Sequence, residues 1–114
     1  MNKLLIGILC FAFGQTVIWY QTNGQFINSW AKQHPILMSL IFGAPISFAF
    51  IIGTKYIVEY FDGALWPGRL IGFGVGSMSF AVLTYFYMGE GISAKTAICL
   101  ILATTIVCIQ IFWK

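Results

Sequence analysis

Charged side chains are scarce in this sequence. Lys, Arg, Asp and Glu make up 8% of its 114 residues, whereas soluble domains carry roughly 25%. A soluble fold so poor in charge could not cover its surface, and a composition that is 60% hydrophobic suits a lipid bilayer instead. We therefore expect one membrane-embedded domain over residues 1–114.

Long stretches of the chain contain no charge at all. They predict an all-α integral membrane protein with four transmembrane helices, at residues 4–20, 36–61, 68–88 and 94–113. Each is close to the ~20 residues with which a helix crosses about 30 Å of hydrocarbon. Spanning β-strands would instead alternate in polarity over about ten residues, and these runs are continuous. The longest connection, residues 21–35, is rich in Gln, Asn and Ser, and we expect a loop there.

Short connections make consecutive helices antiparallel neighbours, so both termini are expected on the same side of the membrane. The basic residues divide four against two, with Lys3, Lys55, Arg69 and Lys114 on the terminal side and Lys32 and Lys95 on the other. This mild excess favours cytoplasmic termini, and one added charge would reverse it.

Motifs for catalysis and for cofactor binding are missing from the sequence. His34 stands alone, and the three cysteines, Cys10, Cys99 and Cys108, lack the paired spacing of metal ligands. A Ser, His and Asp set cannot be assembled, because His34 and Asp62 fall on opposite predicted sides. There is no basic cluster either. The sequence therefore predicts neither an enzyme, nor a cofactor or metal site, nor a nucleic-acid partner.

Gln15 is a polar side chain well inside the first span. Its amide carries two donors and an acceptor, which hydrocarbon cannot satisfy, so it must face another helix or a wet cavity. Two interpretations stay open: a hydrogen bond between helices, worth about 1 kcal/mol, or the lining of a substrate pocket. For a pocket, the candidate substrate-binding residues are Gln15, Thr16, Trp19, Arg69 and Phe73.

Small residues mark two faces for helix packing. The third span carries glycines four residues apart, with one more beside them: Gly68, Gly72, Gly76 and Gly74. Such a groove lets another helix backbone approach closely, and glycines this frequent also permit bending. In the last span, Ala97, Thr104 and Cys108 share one side and form a candidate oligomer seam.

Three segments of the chain stand out: "FGQTVIWY", "IGFGVGSMS" and "YMGEGISAKTAICLILATTIVCIQI". Together they resemble the small multidrug resistance proteins of the drug/metabolite transporter superfamily. "FGQTVIWY", residues 13–20, stands where that family has the functional motif of its first helix. "IGFGVGSMS", residues 71–79, resembles the glycine segment of the third helix, and "YMGEGISAKTAICLILATTIVCIQI", residues 87–111, is similar to the last loop and helix of the superfamily. Short drug/metabolite-transporter-like proteins are an equally good match.

The resemblance implies a dimer, often of oppositely oriented subunits, around a chamber that opens alternately to either side. It also implies a first-helix glutamate that exchanges protons for a cationic substrate. Gln15 occupies that position here, and an amide cannot titrate. Arg69 stands near where the family has an aromatic residue, and its positive charge would repel a cation.

The leading hypothesis is therefore a homodimer in the inner membrane of a bacterium that transports a small neutral or anionic solute. Proton coupling would then need Glu59 or Glu90. A second hypothesis is a non-transporting subunit that binds a membrane protein partner or lipid through the glycine groove or the Ala97 and Thr104 face. A third is a phage-type pore former, against which the lack of a charged C-terminal tail argues.

Overall fold

Four long helices build the protein. The computed structural model describes residues 2–113, and that range is helical apart from short turns. Its elements are α1 (Lys3–Asn23), a 3₁₀ turn (Gly24–Phe26), α2 (Ser29–Gln33), α3 (Pro35–Tyr60), α4 (Trp66–Met88) and α5 (Ala94–Phe112). α1 with its 3₁₀ turn, α3, α4 and α5 are each long and apolar enough to cross a membrane. The prediction of an all-α protein with four helices of this kind is confirmed, and it indicates an integral membrane protein.

Local sequence sets several helix ends. Pro35 opens α3, at a position where the missing N–H leaves no intrahelical bond unmade. Ser93 caps α5, since its hydroxyl accepts a hydrogen bond from the Thr96 N–H at 3.2 Å. Gly89 ends α4 with a φ of 65°, a left-handed conformation that glycine adopts without strain.

The first connection is more ordered than the sequence predicted. α1 continues past residue 20, and the 3₁₀ turn leads into the short helix α2. Polar side chains support both: the Thr22 hydroxyl donates to the Ile18 carbonyl at 2.9 Å, and the Asn28 side-chain oxygen accepts from the Trp30 N–H at 2.8 Å. Polar residues there mark the edge of the apolar segment but do not end the helix, so the expected loop is a helical connection.

The main contacts join the long helices in the order α3, α1, α4, α5, and α3 also touches α4. α1 packs on both α3 and α4, and α4 packs on α5. The chain measures 47 × 35 × 21 Å, so it is a layer about two helices thick, since a helix with side chains is about 10–12 Å across. α1 runs antiparallel to α3 and parallel to α4, and α4 runs antiparallel to α5. The contact pairs behind these directions are Gly7–Ile57 and Gly14–Phe50, Phe11–Gly72 and Trp19–Thr84, and Gly74–Val107 and Met78–Thr104.

The core lies between α1, α3 and α4. Phe11, Ile57, Ile71 and Val75 are buried against one another there. α5 adds one buried residue, Ala103. In a bilayer such a core is held by van der Waals packing rather than by release from water, so close contact between helices decides its stability.

α1 and α3 approach closely at a pair of glycines. A Cβ added at Gly7 would lie 2.5 Å from the Ile57 side chain and 3.1 Å from the Gly53 carbonyl oxygen. A Cβ added at Gly53 would lie 2.8 Å from the Phe11 ring. Real Cβ contacts are longer, so both positions require glycine for the helices to meet.

Candidate functional site

Gln15 lies near the middle of α1, where that helix packs on α4. Its amide rests on Gly76, at which an added Cβ would lie 2.7 Å from Gln15 Nε2. Glycine at this point therefore makes room for the amide. The Gln15 side chain is half-buried and opens into two clefts. Within residues 2–113 no hydrogen-bond partner satisfies it, although an amide at this depth requires one.

The first cleft, which we term the Arg69 cleft, opens between α1, α3 and the beginning of α4. It has a volume of about 790 Å³. Its polar lining comes from Gln15, Thr54 and Arg69. The remaining wall is apolar, and its four aromatic rings belong to Phe11, Phe50, Trp66 and Phe73.

The second cleft, which we term the Glu90 cleft, opens between the second half of α4 and the beginning of α5. Its volume is also about 790 Å³. Its lining includes the carboxylate of Glu90, which follows α4 in the connection to α5, and Thr84 and Thr96 add hydroxyls. The two clefts therefore carry opposite charges, one at each end of α4.

The clefts meet at a shared set of three residues. Gln15, Phe73 and Ile106 line both of them. Arg69 precedes Gly76, the residue beneath the Gln15 amide, by seven positions, which is about 10 Å along the axis of α4. Gln15 is thus the polar group that a solute would reach from either cleft.

The structure brings together three of the five predicted substrate-binding residues. Gln15 and Phe73 line both clefts, and Arg69 lines one. One turn of α4 separates Arg69 from Phe73, so these two share a helix face. The Arg69 cleft is formed where this face of α4 meets the Gln15 face of α1.

Thr16 and Trp19, the other two predicted residues, line neither cleft in the described structure. The Thr16 hydroxyl donates to a carbonyl of its own helix at 2.8 Å. Trp19 is buried and donates its Nε1–H to the Thr84 hydroxyl at 3.0 Å. Beside it, the Tyr20 and Tyr87 hydroxyls are 2.5 Å apart. These contacts join the ends of α1 and α4, so Trp19 packs helices together where the sequence suggested substrate contact.

The glycine groove of α4 is filled within the chain. A Cβ at Gly68 would lie 3.5 Å from the Ile57 side chain, and one at Gly72 would lie 3.7 Å from the Phe11 ring, while Gly76 takes the Gln15 amide. Gly74 points the other way, where an added Cβ would collide with the Val107 side chain on α5. The four glycines therefore place α4 against three helices of the same chain.

The face of α5 that carries Ala97, Thr104 and Cys108 lies largely at the surface. Thr104 and Cys108 are exposed, and Ala97 is half-buried. The Thr104 hydroxyl donates to the Leu100 carbonyl of its own helix at 2.9 Å. In a single chain this face has room for lipid or for another protein.

Sequence patterns did not point to Thr54 and Ile106, which complete the clefts. Thr54 adjoins Lys55 at the end of an apolar run and resembles any residue at a membrane boundary. Ile106 is one of many isoleucines in α5. The spacing of Gly7 and Gly14, two turns apart on α1, is a signal that could have revealed the α3-facing side of that helix.

The chain matches none of the known family models, curated proteins or solved structures with which it was compared.

Proposed function

We propose that this protein is a small membrane transporter that moves a neutral or anionic solute as a homodimer. The observation that carries the proposal is the position of Gln15, whose amide opens into both clefts. A transported solute must reach one binding site from each side in turn, and Gln15 is a polar group common to both routes. The solute, or water, would supply the hydrogen bonds that the amide lacks.

The charges around the clefts support the choice of solute. Gln15 is neutral at the position where the resembled family carries a glutamate, and Arg69 adds a positive charge to one cleft. Of the two carboxylates considered for proton coupling, Glu90 lines a cleft, whereas Glu59 pairs with Lys3 at 3.3 Å. Glu90 is therefore the coupling residue that we propose.

The topology, membrane location and dimer interface of the transporter are also part of the proposal. The alternating directions of consecutive long helices support two termini on one side of the membrane, and the distribution of basic residues supports a cytoplasmic side. The resemblance to bacterial-type small transporters suggests the inner membrane of a bacterium. A second copy packed on the Ala97, Thr104 and Cys108 face would make the homodimer.

Counterflow into proteoliposomes tests the proposed transport. The probes are benzenesulfonate as the anion, phenyl glucoside as the neutral solute and benzyltrimethylammonium as the cation. We expect protein-dependent counterflow of the anion or the neutral solute and none of the cation. Gln15→Ala is expected to lower the rate at least tenfold, because the shared binding group is removed.

Gln110→Ala is the matched control, since it removes an amide from a membrane helix without touching the lining of either cleft. Its counterflow is expected to equal that of the wild type. Rates no higher than in empty liposomes for all three probes would reject transport. Equal protein-dependent rates for wild type and Gln15→Ala would reject Gln15 as the shared binding group.

A second candidate function is a non-transporting subunit of a larger membrane complex. The exposed face of α5 favours it, because this helix has a single buried residue, Ala103. Gentle solubilisation distinguishes the two candidates. A different membrane protein that co-purifies in fixed stoichiometry, together with absent counterflow, would support the subunit.

A further inference from the structure

We infer that the Arg69 cleft binds an amphiphilic anion, with its anionic group at Arg69 and its apolar body along the aromatic wall that leads to Gln15. This assignment rests on the proposed function and narrows it from a neutral or anionic solute to one chemical class. The class comprises molecules with a single phosphate, sulfonate or carboxylate group on an apolar body.

Arg69 faces the cleft without a carboxylate partner. In the part of the chain that the structure describes, Arg69 forms no ion pair, since Glu59 pairs with Lys3 and Glu90 lines the other cleft. The guanidinium group therefore keeps its charge and its five N–H donors for a ligand. Attraction to an anion is stronger beside low-dielectric walls than in water, and most of this cleft is walled by apolar side chains.

Two further donors face the same cleft. The Thr54 hydroxyl has no hydrogen-bond partner within residues 2–113, in contrast to Thr105, whose hydroxyl donates to a carbonyl of its own helix at 2.8 Å. The Gln15 amide is also without a partner. Arg69 and Thr54 are exposed and line this cleft with Gln15, so a ligand rich in acceptor oxygens can reach their donors. Gly76, which lies beneath the Gln15 amide, is about 10 Å from Arg69 along α4.

The aromatic wall selects for an apolar body. Phe11 and Phe50 stack with their ring centroids 5.6 Å apart, and Trp66 and Phe73 extend the wall. The volume of about 790 Å³ falls in the range of about 300–1,000 Å³ that is typical of small-molecule sites. A hydrated inorganic anion would leave these rings in contact with water, whereas an amphiphile would cover them.

The two clefts differ in the charge of their lining. Glu90 gives the second cleft a negative charge, which opposes an anion. The anion is therefore expected to bind in the Arg69 cleft and to be released past Glu90. This asymmetry makes Arg69 the residue on which selectivity depends.

Isothermal titration of the full chain in phosphatidylcholine nanodiscs tests the assignment. The probes share one tail: hexyl phosphate, hexyl glucoside and hexyltrimethylammonium, each corrected for binding to empty nanodiscs. We expect hexyl phosphate to bind at least tenfold more tightly than the cation. Arg69→Gln should lose at least tenfold in hexyl phosphate affinity, and Arg69→Lys should lose less because it keeps the charge.

Lys55→Gln is the matched control. It removes one positive charge from a side chain that lies over the Tyr56 ring and does not line the cleft, so hexyl phosphate affinity is expected to stay unchanged. Thr54→Val keeps every charge and should weaken binding several-fold, which tests the site even if Arg69→Gln fails to fold. Equal affinities for the three probes, or equal losses in Arg69→Gln and Lys55→Gln, would overturn the assignment.

Two further measurements complete the test. One distinguishes a lipid headgroup from a free amphiphile as the source of the anion, and the other tests transport separately from anion binding. If the natural occupant is a lipid headgroup, adding phosphatidylglycerol to the nanodiscs lowers the affinity for hexyl phosphate in the wild type. An unchanged affinity indicates a free amphiphile, and both results support an anion site. Hexyl phosphate binding without counterflow of any probe would reject transport and keep the site. Counterflow of phenyl glucoside without hexyl phosphate binding would reject the anion site alone.

Discussion

α1 and α5 are both apolar helices of membrane-spanning length, yet the protein holds them very differently. α1 lies between α3 and α4 and buries Phe11 and Trp19, whereas α5 packs on α4 and buries Ala103. In the most apolar window of each helix, 22% of the residues are buried for α1 and 6% for α5. Hydropathy therefore does not report whether protein or lipid surrounds a helix, because lipid tails are as apolar as a protein core.

The two clefts also differ in how far protein contacts hold the helices that line them. Helices α1, α3 and α4 form most of the Arg69 cleft, to which α5 adds Ile106, whereas a whole wall of the Glu90 cleft belongs to α5. Gln15 sits on the helix that protein contacts hold on two sides. The binding role that we propose for Gln15 needs such support, so variants that loosen α1 should matter more than variants on the outer side of α5.

The largest effect is expected at the crossing of α1 and α3. Gly53→Ala places a Cβ 2.8 Å from the Phe11 ring and 3.0 Å from the Cys10 Cβ. Overpacking of this kind lowers the free energy of unfolding by about 1–3 kcal/mol, which unfolding by sodium dodecyl sulfate in mixed micelles would measure. Gly43→Ala in the same helix is the control, since an added Cβ there has no neighbour within 4 Å. Equal stability of the two variants would contradict the close approach of α1 and α3.

A smaller loss is expected where α1 meets the end of α4. Thr84→Val removes the hydroxyl that accepts the Trp19 indole N–H at 3.0 Å. The buried donor is then unsatisfied, which costs about 1–3 kcal/mol at most sites, and water near the helix ends should keep the loss at the low end. Thr105→Val on α5 removes a hydroxyl that bonds its own helix at an exposed position, and the same unfolding titration should show a change below about 0.5 kcal/mol. A loss in Thr105→Val as large as that in Thr84→Val would mean that α5 is held as firmly as α1.

The smallest effect on stability is expected on the outer face of α5. Cys108→Phe adds a ring at an exposed position, so the unfolding of the single chain should change by less than about 0.5 kcal/mol. If the small-residue face is the seam of the homodimer, the same ring blocks it, and single-molecule photobleaching in nanodiscs should count fewer dimers. Ile98→Phe, roughly a quarter-turn away on the exposed surface, should keep the dimer. Loss of dimers in Ile98→Phe alone would place the dimer interface at Ile98 instead.

The positions of the helices could be predicted because each depends on nearby residues. Charge-free runs marked the four long apolar helices, since a charged side chain is costly in hydrocarbon. Ser93 and Pro35 marked helix starts by their local chemistry. The boundary of α1 was missed, because polar side chains near residue 22 bond the helix that carries them.

The site could be predicted only in part. Gln15 stood out because an amide is rare in an apolar span, and Arg69 and Phe73 proved to line a cleft with it. Thr16 was grouped with Gln15 by closeness in sequence, but successive residues of a helix point about 100° apart. Trp19 was chosen because it lies one turn from Gln15 on the same face, yet its indole has a buried partner on α4. Thr54 comes from a distant segment and joins the cleft through the packing of α3 on α1.

The sequence by itself determined that the chain forms four apolar helices, because the balance of apolar and charged side chains along each segment decides its solvent. It also determined that Gln15 needs a polar neighbour. The tertiary structure decided which glycines lie where two helices cross. Gly53 and Gly43 look alike in the sequence, yet Gly53 meets Phe11, whereas a Cβ added at Gly43 has no neighbour within 4 Å. It also decided that Gln15, Arg69 and Thr54 share a cleft, because contacts between helices depend on shape along their whole length, which no single segment encodes.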